Sequence, residues 1–182
     1  MNRLRALLVA AAALALVAQT LRATHRVQSS VVVHVVQLQV AALGGSRPPA
    51  PMTRAMEAAL VRAHELDPAA VEPLAFRADL LLLAGRLRDS AVAYERAAVL
   101  EPRAETFFNW GLAYEHGGVL PAAAIQIKRG VALAPTLGSQ VPSDVAPVLN
   151  ATPLLPVPPF APPGAESASS STPLASGASD PP

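Results

Sequence analysis

Residues 6–21 form an uncharged apolar run, bounded by Arg3 and Arg5 on one side and by Arg22 and Arg26 on the other. Read as a helix, this run spans about 24 Å, short of a bilayer core of roughly 30 Å. Leu4 and the stems of Arg5 and Arg22 can extend its apolar length. The next segment, 27–51, opens with a β-branched run from Val31 to Val36 whose composition suits a strand. Its polar positions argue for a helix instead, because Ser30, His34 and Gln37 recur at i, i+4 and i+7. A helix over 29–43 is therefore expected, able to run on from the segment before it and closed by a Pro/Gly loop at Gly44-Gly45-Ser46-Arg47-Pro48-Pro49-Ala50-Pro51. Residues 52–135 carry apolar positions at helical spacing, punctuated by Gly and Pro, and read as the folded body. Residues 136–182 lose that pattern.

Composition agrees with helices. The chain is 52% hydrophobic but only 4% aromatic, so its apolar mass is Ala, Leu and Val, and the expected class is all-α. Eleven of the nineteen prolines follow residue 141, with seven serines and seven alanines, which predicts a disordered tail over 136–182. Within that tail, Leu154-Leu155-Pro156-Val157-Pro158-Pro159-Phe160 is an apolar extended stretch able to dock. The absence of cysteine excludes disulfides, thiolate metal sites and a cysteine nucleophile. Net charge is +1, and the body holds nine basic and ten acidic side chains, so nucleic-acid binding is not expected. Thirteen arginines against one lysine is the usage of a GC-rich bacterial chain. Residues 1–26 then read as an uncleaved signal anchor, with a cleaved signal peptide or a buried helix as the alternatives. The positive-inside rule weakly favours a cytoplasmic amino terminus, which predicts a single-pass inner-membrane protein with its body in the periplasm.

The body repeats. Leu66-Asp67-Pro68, Leu100-Glu101-Pro102 and Leu133-Ala134-Pro135 recur 34 and 33 residues apart, and Leu60, Tyr94 and Ile127 keep step with them. So do Ala63, Ala97 and Gly130, and Gly85 with Gly118. Each unit reads as two helices, with small residues where the two cross and Pro where a helix stops. The last unit, 104–135, runs Phe107-x2-Trp110-Gly111-x2-Tyr114-x8-Ala123-x3-Ile127-x2-Gly130-x4-Pro135. The middle unit, 71–103, runs Leu74-x2-Arg77-Ala78-x2-Leu81-x8-Ser90-x3-Tyr94-x2-Ala97-x4-Pro102. The first unit shows its second helix alone, over 52–68, as Met56-x3-Leu60-x2-Ala63-x4-Pro68, and 29–43 would supply the first. This pattern resembles the tetratricopeptide repeat, W-x2-L-G-x2-Y…A-x3-F…A…P. Arg77 departs from it by standing where the family has Leu. The resemblance implies a short α-solenoid of two to three helix-turn-helix repeats.

No catalytic chemistry stands out. His64-Glu65 and Glu115-His116 lack the second His of a zinc-protease helix, and the four histidines lie in separate segments. Asp67 and Glu72 suit a helix end and a first helical turn better than an acid/base pair with Asp79. No enzyme activity, cofactor or metal is expected. In the resembled family, ligand peptides lie in a groove made by the first helices. That geometry would turn Glu72, Ala75, Asp79, Leu82, Glu105, Phe108, Leu112 and Glu115 toward the groove, with Asn109 at a common groove-side position. Ala75, Asp79, Phe108 and Leu112 stand where a carboxylate clamp would need basic residues. An apolar groove edged with acids suits an amphipathic or basic segment of a protein partner.

These readings converge on a membrane-tethered protein–protein interaction scaffold. A permanent structural subunit of a membrane complex, or a periplasmic chaperone or secretion adaptor after signal cleavage, are the alternatives. With no amphipathic helix evident after Pro135, the last repeat is expected to lack a cap and to need cover from the tail, a partner or a second copy.

Overall fold

Every element is helical among the residues described by the computed structural model, which are 2–153 with side chains from Ala11 onward. The expected docking stretch 154–160 and the remaining tail lie outside the described residues. Helix α1 (Asn2–Ala42) is one uninterrupted element, about 61 Å long at 1.5 Å per residue. Residues 11–28 are exposed on every side. From Ser29 onward one face is buried: Ser29, Val33 and Val36 lie against α2 (Ala50–Leu66), where Met56, Leu60 and Ala63 meet them. The helical period thus prevails over the β-branched composition, because it gathers those side chains onto one buried stripe. Among the described residues no helix is long and apolar enough to cross a membrane. The span expected over 1–26 draws on residues 1–10, whose side chains lie outside the described residues.

Two further helix pairs follow, α3 (Glu72–Leu83) with α4 (Leu87–Leu100) and α5 (Ala104–His116) with α6 (Leu120–Leu133). Helices pack in chain order, and the first helices of successive pairs also touch, α1 with α3 and α3 with α5. Backbone geometry repeats with the sequence. Asp67, Glu101 and Ala134 end α2, α4 and α6 with φ of −136°, −151° and −137°, each N–H donating to the carbonyl four residues back. The proline that follows each one drives the residue before it out of the helical region. The turns inside the second and third pairs also match. Gly85 (φ +73°) and Gly118 (φ +72°) are left-handed, and the N–H of the next residue donates to Leu81 O and Tyr114 O at 2.8 and 2.9 Å. This is the Schellman arrangement, and a β-carbon would strain it at either position.

Small residues set the helix crossings. A β-carbon on Gly111 would lie 2.4 Å from Ile127 Cγ1, and one on Gly130 would lie 2.8 Å from Ala104 O. The middle pair has Ala78 and Ala97 at these registers, both fully buried. Phe107, Trp110 and Tyr114 stack along α5, with successive ring centroids 6.4 and 6.2 Å apart. The expected core residues Leu74, Ala78, Leu81, Tyr94, Ala97, Phe107, Trp110, Gly111, Ala123, Ile127 and Gly130 are buried, and Tyr114 is half-buried. Pro102 and Pro135 are exposed and act as helix stops.

The segment after Pro135 corrects two expectations. A short 3-10 turn (Pro135–Gln140) and helix α7 (Ala146–Ala151) pack on α6, so order continues well past residue 136 and the last pair is covered by its own chain. Val145 is fully buried, and Leu137, Val141, Val148 and Leu149 pack around it. These apolar positions lie on a 3-10 turn, a short loop and α7 in succession, so folding of the segment and not a helical period brings them together on α6. The prolines do not forbid it, because Pro135 and Pro147 each fall in a first helical turn. Lys128 of α6 donates to Leu149 O at 3.4 Å and to Thr152 O, which satisfies carbonyls at the α7 end with a positive charge.

Candidate partner-binding groove

The groove residues expected from the repeat register share α3 and α5 but do not share one environment. Glu72 is exposed and accepts from Arg103 at 3.0 Å, and Arg103 also meets Glu101 at 2.6 Å. Ala75 packs beside Val71, Leu74 and Ala97. Glu105 is exposed, and Glu115 lies 3.6 Å from His116. Leu112 is half-buried in the core of the last pair. Phe108 must be removed from the groove: it is 4% exposed, locked between Gly130 and the cluster around Val145. Its neighbour Val145 comes from the segment after Pro135, outside the repeat period.

Asp79 is the chemical centre of this face. Tyr94 Oη donates to its Oδ1 at 2.5 Å, and Asn109 Nδ2 donates to the same oxygen at 3.4 Å, so α3, α4 and α5 meet at one carboxylate. Burial pushes the Asp79 carboxyl up, and the two hydrogen bonds only partly oppose it. The Tyr94 hydroxyl is pushed far up by burial and by the adjacent carboxylate. Asn109 thereby directs one amide N–H to an internal bond. Beside Asp79 lies an open concavity of about 540 Å³, lined also by Leu82, Leu83, Gly85, Leu87 and His116. Asp79 and Leu82 were expected there. Leu83, Gly85, Leu87 and His116 were not, because the helix ends and the glycine turn build the wall. The matching periodicity of Gly85 and Gly118 was the available signal for them.

A second polar focus joins the first two pairs. Glu57 of α2 receives Arg77 Nε and Nη2 at 3.1 and 2.7 Å on one oxygen and Arg86 Nη1 at 2.6 Å on the other. Burial raises the Glu57 carboxyl, and the hydrogen bonds and charges of the two arginines outweigh that and hold it below the usual range. Arg77, the departure from the family pattern, is therefore an inter-pair tie. A shallow concavity of about 370 Å³ opens beside it, lined by Arg54, Glu57, Ala58, Val61, Arg62 and Glu65. Among the described residues no group of three or more His, Asp or Glu is gathered to hold a metal ion. No family model matches the chain, and no curated protein matches it.

Proposed function

We propose that the chain is a membrane-tethered, non-catalytic scaffold of the tetratricopeptide-repeat type, in the bacterial inner membrane with its body in the periplasm. It holds a protein partner against α3 and α5 and so raises the partner's local concentration at the membrane. The carrying observation is the recurrence of backbone geometry at the sequence period: the ends at Asp67, Glu101 and Ala134, and the turns at Gly85 and Gly118. Equal turns at equal spacing make a stack whose first helices line one face. The concavity beside Asp79, apolar through Leu82, Leu83 and Leu87, fits the apolar side of an amphipathic or basic segment. The tether reading rests on the uncharged run 6–21 between its arginines and on the exposure of residues 11–28.

Leu83→Arg tests the groove. Partner recovered with the tagged chain from detergent-solubilised membranes should fall about tenfold while the melting temperature holds, because a cation is placed against a basic or apolar ligand. Unchanged recovery would remove the groove from the reading. One observation favours a permanent subunit instead: the polar groups of this face are spent on one another, Asp79 on Tyr94 and Asn109, Glu72 on Arg103. Constant stoichiometry in the same pull-down, with the chain unstable alone, would decide for that reading.

A further inference from the structure

Helix α1 carries an apolar row that the body does not use. Leu14, Val17, Leu21, Val31, Val35 and Leu38 are each between 47% and 71% exposed. With Thr24 and Gln28, also exposed, they form an unbroken alternation of three- and four-residue steps over 14–38. That is the a/d spacing of a two-stranded coiled coil, sustained over about 36 Å or roughly three and a half heptads. At 100° per residue Val31, Val35 and Leu38 lie across the helix from Ser29, Val33 and Val36, the residues buried against α2, and the row drifts by about 20° per heptad toward Leu14. Lipid around residues 6–21 would leave Val31, Val35 and Leu38 uncovered, because these lie beyond Arg22 and Arg26 and alongside the folded body.

We propose that this row seats a second copy of the chain, the two α1 helices running parallel and in register. The occupant is a copy because the row is self-complementary in three respects. Its apolar steps and the polar gap at Thr24 and Gln28 coincide when two identical rows pair without a shift. Gln28 meets Gln28 of the copy, so the long polar side chain of the seam finds a hydrogen-bonding equal, as single polar a positions do when they fix register, while the Thr24 hydroxyl is satisfied within its own helix by Thr20 O at 2.9 Å. Charge stays off the seam. Between residues 14 and 38 the arginines are Arg22 and Arg26, and both fall on the side that faces the body, where Arg26 lies 3.7 Å from Asp67. The flanking e and g positions hold His25 and His34 and no carboxylate, lysine or arginine, so two copies approach without like-charge repulsion. The seam itself does not depend on the tether. Its parallel sense rests on that reading, which puts both amino termini on one side.

The full chain contains no cysteine, so single substitutions report the seam without background. Val31→Cys, Val35→Cys and Leu38→Cys should each form a same-residue disulfide dimer under mild oxidation. They should do so about tenfold faster than Ser30→Cys and Gln37→Cys, which are exposed on another face. Val31→Glu with Val35→Glu should convert the dimer to monomer by mass photometry, with exchange protection kept in α3 to α6 because both sites are exposed and lie on α1. Equal cross-linking at all five positions, a monomeric parent chain, or a charged variant that stays dimeric would overturn the proposal. Cross-links of Leu21→Cys to Val31→Cys in place of same-residue links would overturn the parallel arrangement. Fractionation of the same cells reads the tether separately, since a soluble chain that still cross-links along 31-35-38 refutes the tether and leaves the seam.

Discussion

The middle and last helix pairs share one backbone plan and are held together by different chemistry. In the last pair, Gly111 and Gly130 let α5 and α6 approach until backbone meets backbone, and aromatic rings fill the remaining space. In the middle pair, Ala78 and Ala97 keep the helices a methyl apart, and polar bonds complete the contact. Ser90 Oγ donates to Ala78 O at 2.9 Å, Tyr94 donates to Asp79, and Arg77 reaches back to Glu57. Steric locking is insensitive to pH and salt. Bonds to buried carboxylates are not, and they can also reach into neighbouring pairs. One fold unit thus supplies rigidity, and its neighbour supplies connection and titratable response.

The largest effect should come from breaking the steric lock. Gly130→Ala puts a β-carbon 2.8 Å from a backbone oxygen that cannot move alone, and should cost about 3 kcal/mol or more in urea unfolding. Hydrogen exchange should rise first in α5, α6 and α7. Loss confined to α3 and α4 would contradict the comparison. Next is Glu57→Ala, which leaves Arg77 half-buried without its carboxylate and should cost about 2 kcal/mol by urea midpoint. Exchange protection should fall in both the first and middle pairs, since the tie spans them. Ala97→Gly, which gives the middle pair the glycine of the last, should cost about 1 kcal/mol through helix propensity and the lost methyl. A gain in stability there would show that the alanine methyls are obstructing closer packing.

The smallest effect is a pH slope. The Asp79 pKa is raised in the fold, so the folded state holds a proton more tightly than the unfolded chain does. Its contribution to stability is therefore full below the ordinary aspartate pKa and is lost as pH rises through the raised one. Asp79→Asn should remove that decline, so the melting temperature of the variant relative to the parent should increase from pH 4 to pH 7. A flat difference would assign the carboxylate no net titration on folding.

Much of this plan was legible because it is written in local backbone demands. A proline after a helix, a glycine in a left-handed turn and a small residue at a crossing each act within a few positions, so Pro68, Gly85 and Gly130 could be read one by one. What escaped depends on distant residues. Phe108 looked like a groove residue because its register said so, and Val145 buries it from a segment that obeys no repeat. Arg77 looked like a defect because Glu57 lies twenty positions earlier. Helix α7 was obscured by averaging: the prolines dominate the composition of 136–182, whereas Val145 just before the helix and Val148 and Leu149 within it hold the segment on α6. Of the residues lining the concavity beside Asp79, Leu82 shares the helical register of Asp79, but the helix-end wall does not, because turn geometry brings Leu83, Leu87 and His116 together.

Lys128 is the only lysine in the chain, and its amine is engaged by the carbonyls of α7. The protein consequently carries a built-in chemical gauge. An amine-selective acylating reagent has one side-chain target, and that target is released from its carbonyl partners when the α7 segment lifts away. The rate of labelling then counts how often the end of the stack opens. The same amine is a hazard in the laboratory, since coupling the protein to an activated surface through lysine would pry off the cap it was meant to preserve. A lysine-specific protease would likewise cut this chain at one place, within the helix that α7 shields.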